Sequence, residues 1–166
     1  MSDRRHGDGI TGIALPARPF FAGLAADHAA ALRAVAAPAS YRAGARIFAE
    51  GGRADRFWLL EAGSVALDLQ VPGRGAVVLE TLPAGTVLGW SWLQPPYRWH
   101  FGAVARSAVE SLRFDAPAVL RLCESEPSFG YAVMKLFVPV VIDRLQAGRL
   151  RLLDLYGPPG RREARP

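Results

Sequence analysis

The stretch 89–101, GWSWLQPPYRWHF, concentrates the side chains best suited to chemistry. Trp90, Trp92 and Trp99 are three of the chain's four tryptophans, and Tyr97, Arg98 and His100 stand among them. Flat aromatic faces stack on planar molecules, and an indole or phenol adds a polar edge. A guanidinium matches an anionic oxygen pair in charge and geometry. Such a stretch suits a planar or anionic ligand. The same rings would equally fill a cavity and exclude every guest. Pro95 and Pro96 stiffen the loop in either case.

Catalytic chemistry finds little footing elsewhere. His6, His28 and His100 are the three histidines. A metal site on a β-roll draws several His and carboxylate ligands from facing strands, and one strand histidine does not supply them. No Ser-His-Asp or Cys-His pattern is visible. Cys123 sits in an apolar helical stretch, where a thiol behaves as a small hydrophobe. The sequence predicts no catalytic residue, no metal ligand and no enzyme.

The elements that must position this stretch are legible from punctuation and periodicity. Residues 20–36, FFAGLAADHAAALRAVA, read as a helix, with Asp27 as a first-turn cap and Pro38 as its stop. From 40 to 115, short apolar runs alternate with glycine, the pattern of an all-β roll or sandwich. Gly44, Gly51, Gly63, Gly75, Gly85 and Gly89 mark the corners, and PGRG at 72–75 reads as a hairpin turn. A short helix follows, capped by Asp115 with Pro117 in its first turn. A long helix then covers 127–156, with Pro139 inside it. Met134, Val138, Val141, Leu145, Gly148, Leu152 and Leu155 follow a strict 4-3 spacing along it, the pattern of a coiled-coil seam. Leu136, Phe137, Val140, Ile142 and Leu153 supply a second face. One face covers the roll and the other meets a second copy of the chain.

Composition sets the outer bounds. The chain has 166 residues, of which 21% are charged, consistent with one well-packed domain. No apolar run approaches the roughly 18–20 residues of a membrane span. The basic N-terminus lacks the continuous apolar region of a signal peptide. With a single cysteine, the expected compartment is the cytoplasm. The net charge of +5 comes from scattered arginines and reads as solvated surface rather than a nucleic-acid face.

In this order, helix, glycine-punctuated roll, short helix and long helix resemble the cyclic nucleotide-binding domain family, above all its catabolite-activator and Fnr-type regulators. The resemblance rests on YRAGARIFAEGGRADRFWLLEAGSVAL (41–67), LPAGTVLGW (82–90), AVARSAVESLRFD (103–115) and VVIDRLQAGRLRLL (140–153). It implies a mainly β fold, a double-stranded β-helix or jelly-roll-like roll, with an N-terminal helix and a long C-terminal dimerisation helix. The domain would span 19–156, between disordered tails at 1–18 and 157–166.

The resemblance also implies a site, which this sequence alters. In the family, a glutamate directly after the glycine equivalent to Gly89 holds the ribose hydroxyl, and an arginine further along the loop pairs with the cyclic phosphate. Those positions read Trp90 and Trp99 here, with Arg98 one residue early. A one-residue offset on a strand turns a side chain to the other face, but the loop reads about one residue shorter than in the family, and a shifted register would still deliver Arg98. Losing two charged hydrogen bonds, at about 1.5–3 kcal/mol each, weakens binding by roughly 10²–10⁴-fold. A short helix beginning near Trp90 and Ser91 would still aim backbone N–H groups into the pocket. The candidate ligand residues are Gly89, Trp90, Ser91, Trp92, Tyr97, Arg98, Trp99, His100 and, with Gln146 nearby on the long helix, Arg149.

Family regulators carry a DNA-binding helix-turn-helix after the long helix, whereas GPPGRREARP follows it here. The expected function is therefore a non-enzymatic, homodimeric ligand-sensing module that signals through a separate effector protein. It would bind neither specific DNA nor a membrane. Its ligand would be cAMP, cGMP or another planar anion. The alternative is a degenerate module with a Trp-plugged pocket, acting as a dimeric protein-interaction scaffold.

Overall fold

The computed structural model describes Leu15 and residues 18–156, the last six by backbone alone. Most of the two predicted tails therefore lies outside the described residues, but Leu15 is fully buried in the core.

Eight strands form two four-stranded antiparallel sheets. They are β1 (Ala36–Tyr41), β2 (Arg46–Phe48), β3 (Arg56–Ala62), β4 (Ser64–Val71), β5 (Gly75–Pro83), β6 (Val87–Leu88), β7 (Gly102–Ala105) and β8 (Val109–Asp115). One sheet has the order β1-β8-β3-β6 and the other β2-β7-β4-β5. Three helices flank the roll: α1 (Ala26–Ala34), α2 (Ala116–Ser125) and α3 (Pro127–Tyr156). This is the expected mainly β roll with flanking helices.

The predicted corner glycines all have positive φ. At Gly63 the requirement is strict, because an added Cβ would lie 2.0 Å from the Ala108 carbonyl oxygen. The PGRG turn joins β4 to β5, with Arg74 N–H donating to the Val71 carbonyl. Asp115 caps α2 by accepting from Ala118 N–H at 2.8 Å.

The N-terminal helix differs from its expectation. A 3-10 turn (Pro19–Phe21) precedes α1, which ends at Ala34, and Pro38 lies within β1. The proline is tolerated because β1 is an edge strand, paired only with β8. Nor does Asp27 cap the helix: Ala25 is the cap residue, and the Asp27 carboxylate accepts from His28 N–H.

In β3, Phe57, Trp58, Leu59 and Leu60 are buried in succession. A strand buries successive residues only when both its faces are covered. Phe57 stacks on Phe114 and Trp92 and meets Phe137 of α3 edge-on. On the other sheet, buried Asp68 pairs with Arg46 at 2.7 Å, and this hydrogen bond pushes the Arg46 guanidinium above its usual range. Gly102 leaves room for the pair: a Cβ there would stand 2.1 Å from Asp68 Oδ1.

The long helix buries one stripe and exposes another. Phe129, Val133 and Phe137 are buried, with Leu136 and Val140 packed against the core. Met134, Val138 and Leu145 are exposed, Val141 is half-buried and Gly148 is exposed. Ile142 departs from the reading that put it on the covered face, since it is 46% exposed. The side chains of Leu152, Leu153 and Leu155 lie outside the described residues.

Candidate functional site

The loop between β6 and β7 begins at Gly89, whose φ is +87°. A Cβ at Gly89 would meet the Trp99 ring at 3.0 Å. The glycine thus turns the chain and also gives the indole room. Next comes a single 3-10 turn, Ser91–Leu93, in place of the expected short helix, so its array of free N–H groups is smaller. The loop returns through Tyr97, at a φ of 54°, and Trp99 is held by paired backbone bonds to Gly51 and Gly52.

The nine candidate residues part company here. Gly89, Trp90, Ser91 and Trp99 line a cavity inside the roll, closed on its other sides by Phe48, Leu67 and Leu88, among others. Trp99 is 5% exposed and stacks on Phe48, with centroids 4.0 Å apart. Trp58 packs against both rings and donates its indole N–H to the Tyr41 hydroxyl at 2.9 Å. The space left between these groups is about 20 Å³, room for about one water molecule.

Arg98 turns the other way. It is exposed and donates to the Gly51 carbonyl at 2.9 Å. His100 is exposed, stacks on Trp90, and shares a 2.9 Å hydrogen bond between Nδ1 and Ser91 Oγ. Ser91 is only 7% exposed. Tyr97 is exposed. Trp92 is fully buried behind the cavity, between Phe57 and Phe137, and its Nε1 has no hydrogen-bond partner.

Arg149 and Gln146 are exposed and do not line the cavity. Sequence reasoning missed the cation that does, Arg144. Its signal was present: Phe137, Val140 and Arg144 share the covered face of α3 at helical spacing. Arg144 is 19% exposed and ion-paired with Glu80 of β5.

Two groups away from the loop also carry potential ligand atoms. Asp27, His28 and Glu126 bring one such atom each to within 4.8 Å of the others. His28 and Glu126 approach to 3.5 Å, tying α1 to the end of α2. Cys123 is half-buried, and burial pushes its thiol pKa up, which favours the unreactive thiol form.

No helix of the described chain is long and apolar enough to cross a membrane. No curated protein sequence matches the chain. Several solved structures share its fold. A cyclic nucleotide-binding protein from Geobacter metallireducens is 24% identical, with a TM-score of 0.72 over 79% of this chain and 95% of that one. The catabolite activator protein of Thermus thermophilus is 25% identical, with a TM-score of 0.63 over 83% of this chain and 63% of that one. The sensor domain of the transcriptional regulator DNR from Pseudomonas aeruginosa is 19% identical, with a TM-score of 0.63 over 80% of this chain and 89% of that one. A family model for the cyclic nucleotide-binding domain matches residues 38–126, more than half of the chain, from β1 to the end of α2. The roll, its glycine corners and the loop after Gly89 are thus those of a regulatory ligand-binding fold, and this chain belongs to the cyclic nucleotide-binding domain family.

Proposed function

We propose that this chain is a non-enzymatic, dimeric regulatory module whose family pocket is filled from within by Trp99. The carrying observation is the cavity of about 20 Å³ at the nucleotide-binding position. A buried indole stacked on Phe48 fills the rest of that space. Trp90 stands where the family places the ribose-binding carboxylate, and Arg98 points away. The module acts through protein contacts, with the exposed seam Met134–Val138–Val141–Leu145 pairing two copies and a separate effector protein receiving the signal. The cytoplasm is the compartment such a module would occupy.

A second reading keeps the pocket functional. Ser91 and Arg144 line the cavity, so a ligand that displaces the Trp99 ring would meet one hydroxyl and one guanidinium. On this reading cAMP, cGMP or another planar anion binds in an altered mode, and Trp99 is the gate.

Thermal stability with cAMP and cGMP separates the two. A ligand at about 100 times its Kd stabilises the native state by about 2.7 kcal/mol, which raises the Tm by about 5–11 °C for a domain of this size. The filled-pocket reading expects no shift for the wild type, and Trp90→Ala and Arg98→Ala to behave alike. A dose-dependent rise lost in Trp90→Ala would overturn it in favour of the second reading.

A further inference from the structure

A second, larger cleft lies outside the roll, between α3 and the segment from β5 to β6. Its volume is about 470 Å³, within the range of about 300–1,000 Å³ typical of small-molecule sites. Phe20, Val87, Leu136 and Val140 give it apolar walls. Lys135, Asp143, Glu80 and Arg144 bring charge to it. Arg144 and Val87 line both this cleft and the cavity inside the roll, so the Arg144 guanidinium stands at the junction of the two.

The cleft already holds a carboxylate. Glu80, 23% exposed, is paired there with Arg144. Arginine–carboxylate pairs are strong and geometrically specific, so a ligand carboxylate entering the open apolar space beside Arg144 competes for the same guanidinium. A carboxylate on an apolar body would exchange with Glu80, while Glu80 turns to water. The apolar body supplies what Glu80 lacks, because it covers the walls of the cleft. Lys135 adds a second cation and Asp143 opposes it, which disfavours a dianion relative to a single carboxylate.

We propose that this outer cleft binds a small amphiphilic monocarboxylate, with Arg144 as its anion receptor and Glu80 as the built-in competitor. Occupancy would release α3 from β5 and transfer the Arg144 contact to the ligand. The cleft lies on the outer side of Arg144 and shares that residue and Val87 with the cavity inside the roll.

Calorimetric titration with phenylacetate and octanoate tests the proposal, with phenyl phosphate as a dianion and benzyl alcohol as the uncharged control. Glu80→Gln removes the competitor and is expected to bind both carboxylates about 10-fold more tightly than wild type. Arg144→Gln is expected to lose about 10–100-fold, the worth of a charged hydrogen bond. A purely structural role for the ion pair would make Glu80→Gln less stable without any gain in affinity. The proposal fails if neither wild type nor Glu80→Gln binds a carboxylate, or if Arg144→Gln binds as well as wild type. It fails equally if benzyl alcohol or phenyl phosphate matches the carboxylates. Because Glu80→Gln predicts a gain, loss of folding in Arg144→Gln leaves the test intact.

Discussion

Trp99 is where one side chain has most to do. Its ring lies against the bare Cα of Gly89 and on the face of Phe48, with backbone bonds to Gly51 and Gly52 fixing the register. Trp99→Ala would leave a void among packed rings, and removal of a buried tryptophan costs about 3–5 kcal/mol. Urea denaturation should show that loss, and free indole added at saturation should restore part of it by refilling the space. A variant that is fully stable without indole would mean that the ring is peripheral. The register was not legible: the loop reads about one residue short, so the spacing left open whether Arg98 or Trp99 faces inward, whereas the fold buries Trp99 and exposes Arg98. What no spacing rule decides is whether an inward ring lines a pocket or fills it, because that depends on the few ångströms left between rings from β2, β3 and the loop itself. Gly102 makes a sharper case for a single atom. A methyl group there collides with Asp68 Oδ1 and sits 2.4 Å from Arg46 Nη1. Gly102→Ala is expected to lower stability by about 1–3 kcal/mol through forced displacement of the buried pair. Guanidinium melts of Gly102→Ala against Ala103→Gly, a change on the same strand that creates no clash, would separate the clash from general strand effects.

Among the elements, α3 carries the most uncommitted surface. Val138 is 52% exposed and Leu145 58% exposed, on a stripe that the described residues do not cover. Apolar residues at 4-3 spacing on a solvent face fit a helix-to-helix seam. A Val138→Glu, Leu145→Glu double variant is expected to convert a dimer to a monomer in sedimentation equilibrium, with unchanged strand content by circular dichroism. A wild-type chain that sediments as a monomer at every concentration would remove the basis for the seam. Element existence and type were readable because glycine corners, the Asp115 cap and the 4-3 spacing are local signals. The end of α1 was not. Pro38 looks like a helix stop, yet the chain leaves the helix at Ala34 to pair β1 with β8, and no local residue announces that pairing. Arg144 was missed for a related reason: its role comes from Glu80, which is distant in sequence and reaches it only through the fold.

At the scale of the whole molecule, the question is whether the loop after Gly89 and the long helix move together. A continuous set of rings joins them. Trp92, in the 3-10 turn of the loop, meets Phe137 of α3 edge-on at 5.1 Å, and both contact Phe57 of β3. Each ring is at most 2% exposed, so a displacement of the turn has no solvent-filled gap in which to dissipate. Packed interiors respond to such a displacement by repacking as a unit. The fold can therefore couple the loop to the exposed apolar stripe of α3, provided that the two arrangements differ in energy by only a few kcal/mol. A double-mutant cycle measures this link. Trp92→Phe keeps a ring and removes the unpartnered Nε1, while Phe137→Leu keeps bulk and removes the edge contact. Residues in contact usually show a coupling of about 0.5–3 kcal/mol, whereas independent sites add to within about 0.3–0.5 kcal/mol. Coupling in unfolding free energy is expected in the upper part of that range. Amide exchange should rise together at residues 91–93 and along α3 in either single variant. Additive energies, with faster exchange confined to the element that was changed, would show that the loop and the long helix open independently. Regulation would then have to reach α3 by another contact on its covered face, such as the Arg144–Glu80 pair.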